Sequence, residues 1–179
     1  MSSQISPRYF ERLALPHLDA AYNLARWLTR NDHDAEDVVQ DAYLRAYKYF
    51  AGFRGENFRA WLLAVVRRAA YDWMQRNRPA ELVPAADIDV EAMAGDSETD
   101  NPEASLMRQA DQKMVNEMIA ALPVPFREVV VMRELQELSY KEIAAIAEVP
   151  VGTVMSRLAR ARALLAADGR RRLKESNYG

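Results

Sequence analysis

The chain has 179 residues, half of them apolar and 28% charged, enough for one medium-sized domain or two small ones. It has no run of about 18 apolar residues, and no basic start followed by an apolar block, so neither membrane insertion nor a secretory signal is expected. It has no cysteine, which excludes disulfides and thiolate metal sites and leads us to expect a cytoplasmic setting.

The net charge of −2 conceals a division. Residues 1–78 carry twelve basic and nine acidic side chains, and residues 108–179 carry the same numbers. Residues 79–107 carry eight acids and no base. The chain therefore reads as two mildly basic modules joined by an acidic tether. Six glycines among abundant Ala, Leu, Arg and Glu lean the whole toward helix.

In chain order, a first helix is expected near Tyr9–Thr29, kinked or interrupted by Pro16. From Ala35, apolar residues fall at Val38, Val39, Ala42, Ala46 and Phe50, a helical spacing. The preceding "NDHDAED" supplies capping side chains, and negative charge where the helix dipole favours it. "FAGFRGEN", with two glycines, predicts a turn. The next helix is expected from about Phe58 to Arg76, with Trp61, Leu62, Val65, Val66, Ala69 and Trp73 as its apolar stripe. From Pro79 the prolines and acids multiply and periodicity fades. The 29 residues from Pro79 are too many for an ordinary loop and read as a flexible linker. The following helix is expected to start near Asn101 or Pro102. "ASLMRQADQKMVNEMIAALP" and "PFREVVVMRELQE" predict two amphipathic helices, the first ended by Pro123 and the second opened by Pro125.

The stretch "SYKEIAAIAEVPVGTVMSRLARAR", residues 139–162, carries the most information. Ser139 and Glu142 have capping-box spacing. Ile143, Ile146 and Ala147 form an inner face, "EVPVG" stops the helix, and a second helix starts at about Gly152–Thr153. Two helices joined by a short turn form a helix-turn-helix. At about 100° per residue, Val154, Leu158, Ala161 and Leu165 face the core. Met155, Ser156, Ala159, Arg160 and Ala163 lie opposite, with Arg157 and Arg162 on the flanks. Small outward side chains let a helix sit deep in a major groove, and arginines reach guanine edges or phosphates. The alternative is a solvated helix with ordinary surface arginines.

Read together, "ALPVPFREVVVMRELQELSYKEIAAIAEVPVGTVMSRLARARALL" resembles region 4 of bacterial extracytoplasmic-function (group IV) sigma factors of the sigma-70 family. "DAEDVVQDAYLRAYKYFAGFRGENFRAWLLAVVRRAAYDWMQRNR" resembles their region 2. The resemblance covers nearly the whole chain in the family's order. It implies an all-α protein of two small helical domains, residues 1–78 and 108–179, joined by a flexible acidic linker over 79–107. It further implies a protein that binds core RNA polymerase and directs promoter-specific initiation.

Carried over residue by residue, the resemblance places Gln40 and Asp41 of "VVQDAY", with Asp37 beside them, against the coiled-coil clamp of the polymerase β′ subunit. Residues 53–78 match the part that opens and reads the −10 element. Phe53, Arg54, Phe58, Arg67, Arg68, Arg76 and Arg78 are the residues expected to serve there, since melting needs aromatic surfaces for bases and cations for the strand. Trp61 and Trp73 lie on the apolar stripe and are read as core. Thr153, Met155, Ser156, Arg157, Ala159 and Arg160 are expected to meet the −35 element.

Two positions depart from the family. Arg68 stands where many members have the Asn that captures a flipped base, in a short loop, so Val66–Ala69 are expected to leave the helix. Met155 stands where many have a basic residue, and would read a thymine methyl or DNA shape. The two modules must reach sites about two helical turns, roughly 70 Å, apart. A free chain of the linker's length spans about 30 Å on average, and about 95 Å fully extended. In the family the polymerase holds the linker extended in basic channels, which eight acids would suit; a merely solubilising linker is the alternative.

The implied partners are core polymerase (β and β′ subunits), promoter DNA and an anti-sigma factor. No cofactor or metal is expected. A self-sufficient dimeric regulator would leave residues 1–78 unexplained. An enzyme would have only His17 and His33 to work with, no cysteine and no Gly-rich phosphate loop. "NDHDAED" lacks the spacing of a calcium loop.

Overall fold

The computed structural model describes residues 6–94 and 112–178. Among these residues the secondary structure is entirely helical. Helix α1 (Pro7–Ala14) opens with proline in its first turn, where a missing N–H costs nothing. Pro16 then breaks the ladder, and a 3-10 turn (Leu15–His17) leads into α2 (Leu18–Thr29), as the sequence suggested. Arg30 ends α2 in the left-handed conformation (φ 58°), and α3 (Asp32–Tyr49) starts at once. The Asn31 side chain accepts the Asp34 N–H at 3.1 Å, and Asp32 and Asp34 sit in the first turn, as the dipole favours. The phenol of Tyr43 donates to the Ala14 carbonyl at 2.8 Å, tying α3 to the end of α1. Burial pushes its pKa up to about 12.

Helix α4 (Phe58–Asn77) is capped by Asn57, whose side chain accepts the Ala60 N–H at 3.0 Å. It runs unbroken through Val66–Ala69, contrary to the expected loop. Val66 and Ala69 are fully buried there, and leaving the helix would expose both. Its buried stripe is Leu62, Leu63, Val66, Ala69, Ala70 and Met74; Trp61 and Trp73 lie at its margins, half-buried. Helices α2, α3 and α4 pack on one another to form the first module.

Little structure was expected from Pro79 onward, yet residues 79–94 are folded against the rest of the molecule. Two 3-10 turns (Pro79–Glu81 and Ala85–Asp87) precede a short helix α5 (Val90–Ala94), and Ala85 and Ile88 are buried. The expected helix start near Asn101 lies outside the described residues.

The second module contains α6 (Gln112–Ala120), α7 (Val124–Val130), α8 (Tyr140–Ala147) and α9 (Val151–Asn177). Pro123 caps α7 and Pro125 lies inside its first turn; a π-helical turn (Val131–Leu135) prolongs it. Every residue of α7 is buried, Arg127 and Glu128 included. The reason is that α7 lies between the modules. One apolar core runs from Leu24, Leu28 and Val66 of the first to Phe126, Val129 and Ile143 of the second. Most polar groups within it are paired, as burial demands, although Arg127 Nε and Gln136 Oε1 are buried without a hydrogen-bond partner. Arg67 of α4 makes a two-bond ion pair with Glu128 (2.7 and 3.1 Å). Burial alone would lower the Arg67 pKa, but the hydrogen bonds and charge of Glu128 raise it. Arg127 donates to the carbonyls of Ala120, Leu122 and Leu28 (3.0, 3.3 and 3.3 Å). Burial, with Arg30 nearby, lowers its pKa to about 10. Gln136 donates to the Ala20 carbonyl at 2.8 Å.

Candidate nucleic-acid interface

The helix-turn-helix is built from its cap upward. Ser139 Oγ accepts the Glu142 N–H at 3.1 Å, and Glu142 Oε1 accepts the Ser139 N–H at 3.0 Å, the reciprocal pairing that the spacing predicts. Asn57 of the first module donates to the other carboxylate oxygen at 3.0 Å. The Ser139 N–H, then Asn57, hold the Glu142 carboxyl below its ordinary pKa. Glu148 turns the chain at φ 58°, and Pro150 caps α9.

On α9, Val154, Leu158 and Ala161 are buried and Leu165 packs beside them, as the angular reading required. Met155 (53% exposed), Ser156 and Ala159 face solvent. Thr153, Arg157 and Arg160 are half-buried. Arg160 lies over the Phe126 ring at 5.0 Å and donates to the carbonyls of Ala85 (3.2 Å) and Ile88 (2.7 Å). The open face thus has the small side chains a groove-entering helix needs, while two of its arginines are turned to one side.

In the first module an aromatic cluster joins Phe10, Phe50, Phe53, Phe58 and Trp61, with ring centroids 5.3–6.4 Å apart. Phe58 is buried within it; Phe53 is half-exposed, and Arg54 is exposed and donates to the Ala51 and Phe53 carbonyls (3.0 and 3.2 Å). The cluster fixes the turn 50–57, where Gly55 (φ 149°) adopts a conformation that favours glycine. Arg68 and Arg76 are exposed on α4, and Arg68 pairs with Glu148 of the helix-turn-helix. Arg78 is committed elsewhere: it donates to the Thr29 carbonyl (2.6 Å) and Asp34 (3.1 Å), and lies 4.8 Å from the Trp73 ring centre.

On α3, Asp37 and Gln40 are exposed. Asp41 is half-exposed and pairs with Arg45 (2.8 Å), which also binds Asp72 (2.6 Å). Gln40 borders a cleft of about 560 Å³ with Pro7, Phe10, Glu11, Tyr43, Leu44 and Tyr47, and Leu44 beside it is 71% exposed. One helix therefore brings carboxylate, amide and bare leucine to one accessible surface. The described residues contain no group of three or more His, Asp or Glu side chains placed to hold a metal ion. None of their helices is long and apolar enough to cross a membrane.

Sequence reasoning missed Arg127, Glu128 and Gln136, the polar groups that join the modules. The available signal was a charged pair, Arg127-Glu128, within a run otherwise apolar on every side.

A helix-turn-helix with a small-residue reading face, packed beside a bundle carrying an aromatic and basic surface, defines a DNA-reading protein. Comparison with known families narrows this. Residues 13–79 match Sigma-70 region 2 and residues 112–165 match Sigma-70, region 4. The chain is 39% identical over 138 residues to the ECF RNA polymerase sigma-E factor of Escherichia coli (strain K12), covering 72% of this chain and 70% of that one. It is 32% identical over 161 residues to the RNA polymerase sigma-H factor of Pseudomonas aeruginosa, covering 87% and 83%. Among solved structures it is similar to the sigma factor RpoE of Bartonella quintana, in complex with the anti-sigma factor NepR (TM-score 0.66, 26% identity, 88% and 94% covered). It is also similar to CnrH in complex with the cytosolic domain of CnrY (TM-score 0.63, 28% identity, 90% and 88% covered). The chain belongs to the sigma-70 family, as an ECF sigma factor. Its function is promoter-directed initiation of transcription with RNA polymerase.

Proposed function

We propose that the chain is a group IV sigma factor, a non-catalytic cytoplasmic subunit whose three functional units are residues 1–78, 79–107 and 108–179. Asp37, Gln40 and Asp41 bind the β′ clamp. Phe53, Arg54, Arg67, Arg68 and Arg76 open and read the −10 element, with Phe58 and Arg78 holding that surface in shape. Thr153, Met155, Ser156, Arg157, Ala159 and Arg160 read the −35 element. The observation that carries this reading is the box-capped helix-turn-helix with Met155, Ser156 and Ala159 bare on its outer face. The two similar structures that contain an anti-sigma factor or a CnrY domain support an anti-sigma partner here, one that covers basic surfaces on both modules.

The test is transcription by core polymerase reconstituted with this chain on a library of randomised promoters. The expected result is a −10 and a −35 motif at fixed spacing. Arg68→Asn is expected to change the preferred −10 bases, and an unchanged −10 motif would remove Arg68 from base capture.

A further inference from the structure

The contacts of residues 79–94 with α9 fall on one side of that helix. At about 100° per residue, Arg157, Arg160, Leu164, Ala167 and Arg171 lie within an arc of about 80°. Leu164 and Ala167 are buried. Arg160 is held by the Ala85 and Ile88 carbonyls, and Arg171 donates to the Met93 carbonyl at 3.4 Å. Arg157 borders a pocket with Leu82, Pro84, Ala85 and Ala86, and its buried Nε has no hydrogen-bond partner. Ile88 and Ala85 meanwhile sit in the shared core, with Leu82 and Val90 packed against it. The segment therefore touches both modules through apolar side chains, and offers α9 a row of main-chain carbonyls.

Those carbonyls do for Arg160 what a phosphate or a guanine edge would do: they supply oxygen acceptors to a guanidinium. On the opposing module, Arg67 is locked to Glu128 of α7 and Arg68 to Glu148 in the turn of the helix-turn-helix. Arg67 and Arg68, expected at the −10 element, are thus turned toward the second module, while Arg160, expected at the −35 element, is held by residues 79–94. A chain so folded cannot also place the modules about two helical turns apart on DNA.

We propose that residues 79–94 form an intramolecular strap, which docks on the Arg157/Arg160 face of α9 and holds the free chain closed with Arg67, Arg157 and Arg160 masked. The masking rests on the assignment of those cations to promoter DNA; the closure does not. Polymerase and DNA then act by selecting the opened form, and apparent DNA affinity is reduced by the fraction of chains that are open.

The chain has no cysteine, so Lys48→Cys and Lys141→Cys, exposed positions on opposite modules, give two unique dye sites in the full-length protein. Energy transfer reports closure. Anisotropy with a short fluorescein-labelled mixed-sequence duplex at low salt reports masking. Adding Ile88→Glu is expected to lower transfer and tighten duplex binding, by about ten-fold if a tenth of the free chains are open. Unchanged transfer in a folded variant overturns the strap, and lowered transfer with unchanged affinity overturns the masking. Should circular dichroism show Ile88→Glu unfolded, Val90→Glu, at a half-buried strap position, replaces it in both measurements, and the same results support or overturn the strap and the masking. Arg160→Ala in the released chain separates the two assignments. Lost affinity supports both. Unchanged affinity after lowered transfer removes Arg160 from DNA and leaves the strap supported.

Discussion

Ser139 and Glu142 each complete the other's hydrogen bonding at the start of α8, and both were legible from four letters of sequence. Ser139→Ala is expected to cost about 1 kcal/mol, measurable by urea denaturation. The Glu142 carboxyl is held below its ordinary value by the Ser139 N–H and then Asn57, so its sign is fixed. The stability it contributes is full above its unfolded value of 4.5, and is lost as pH falls through the lower folded value. The stability gap between the native chain and Glu142→Gln is therefore expected at neutral pH and should close below that window. A constant gap across the acid limb would contradict the pairing. Phe58 illustrates a residue whose type was legible but whose place was not. Aromatic and within the stretch that resembles the −10 part, it read as a base platform; in the fold it is 9% exposed among five other rings, His17 included. Phe58→Ala is expected to cost about 3–5 kcal/mol of stability, as core truncations do. The more exposed Phe53 should cost less and affect promoter opening more.

At the scale of elements, periodicity served wherever one face of a helix meets a core. It found α3, α4 and the inner face of α9, and turn chemistry found Pro16, Asn31 and Glu148–Pro150. It failed where a helix meets protein on all sides. In α7, Arg127 and Glu128 look like surface residues, and only the second module's position against α2 and α4 buries them. It failed also at residues 79–94, whose short turns are held by tertiary contacts of Ala85, Ile88 and Val90 rather than by local propensity. The Val66–Ala69 loop was inferred from the family's pattern, while the apolar side chains at 66 and 69 asked for a helix. On α9, Arg160→Ala is expected to weaken −35 binding by the reconstituted holoenzyme by about 1–3 kcal/mol and relax preference at one base position. Uniform weakening across sequences would mean a phosphate contact instead.

At the scale of the molecule, the charge division matters most. Two basic modules and a wholly acidic segment were visible from composition, and both modules match regions of one family. Their packing through an apolar interface with Arg67–Glu128 at its centre was not visible, because no residue pattern encodes which faces of two separate modules meet. On the proposed strap, the same chain serves two arrangements, one closed on itself and one spread over a promoter, with core polymerase selecting the second. Binding to core polymerase is thus the property on which every other role of the chain depends. We would measure it by gel filtration of the purified chain with core enzyme, beside Asp41→Lys. Asp41 is half-exposed in a surface ion network, so its reversal should leave the fold intact. A stoichiometric complex is expected for the native chain, and its loss in Asp41→Lys. A folded native chain, free of bound inhibitor, that elutes apart from the enzyme would contradict this expectation.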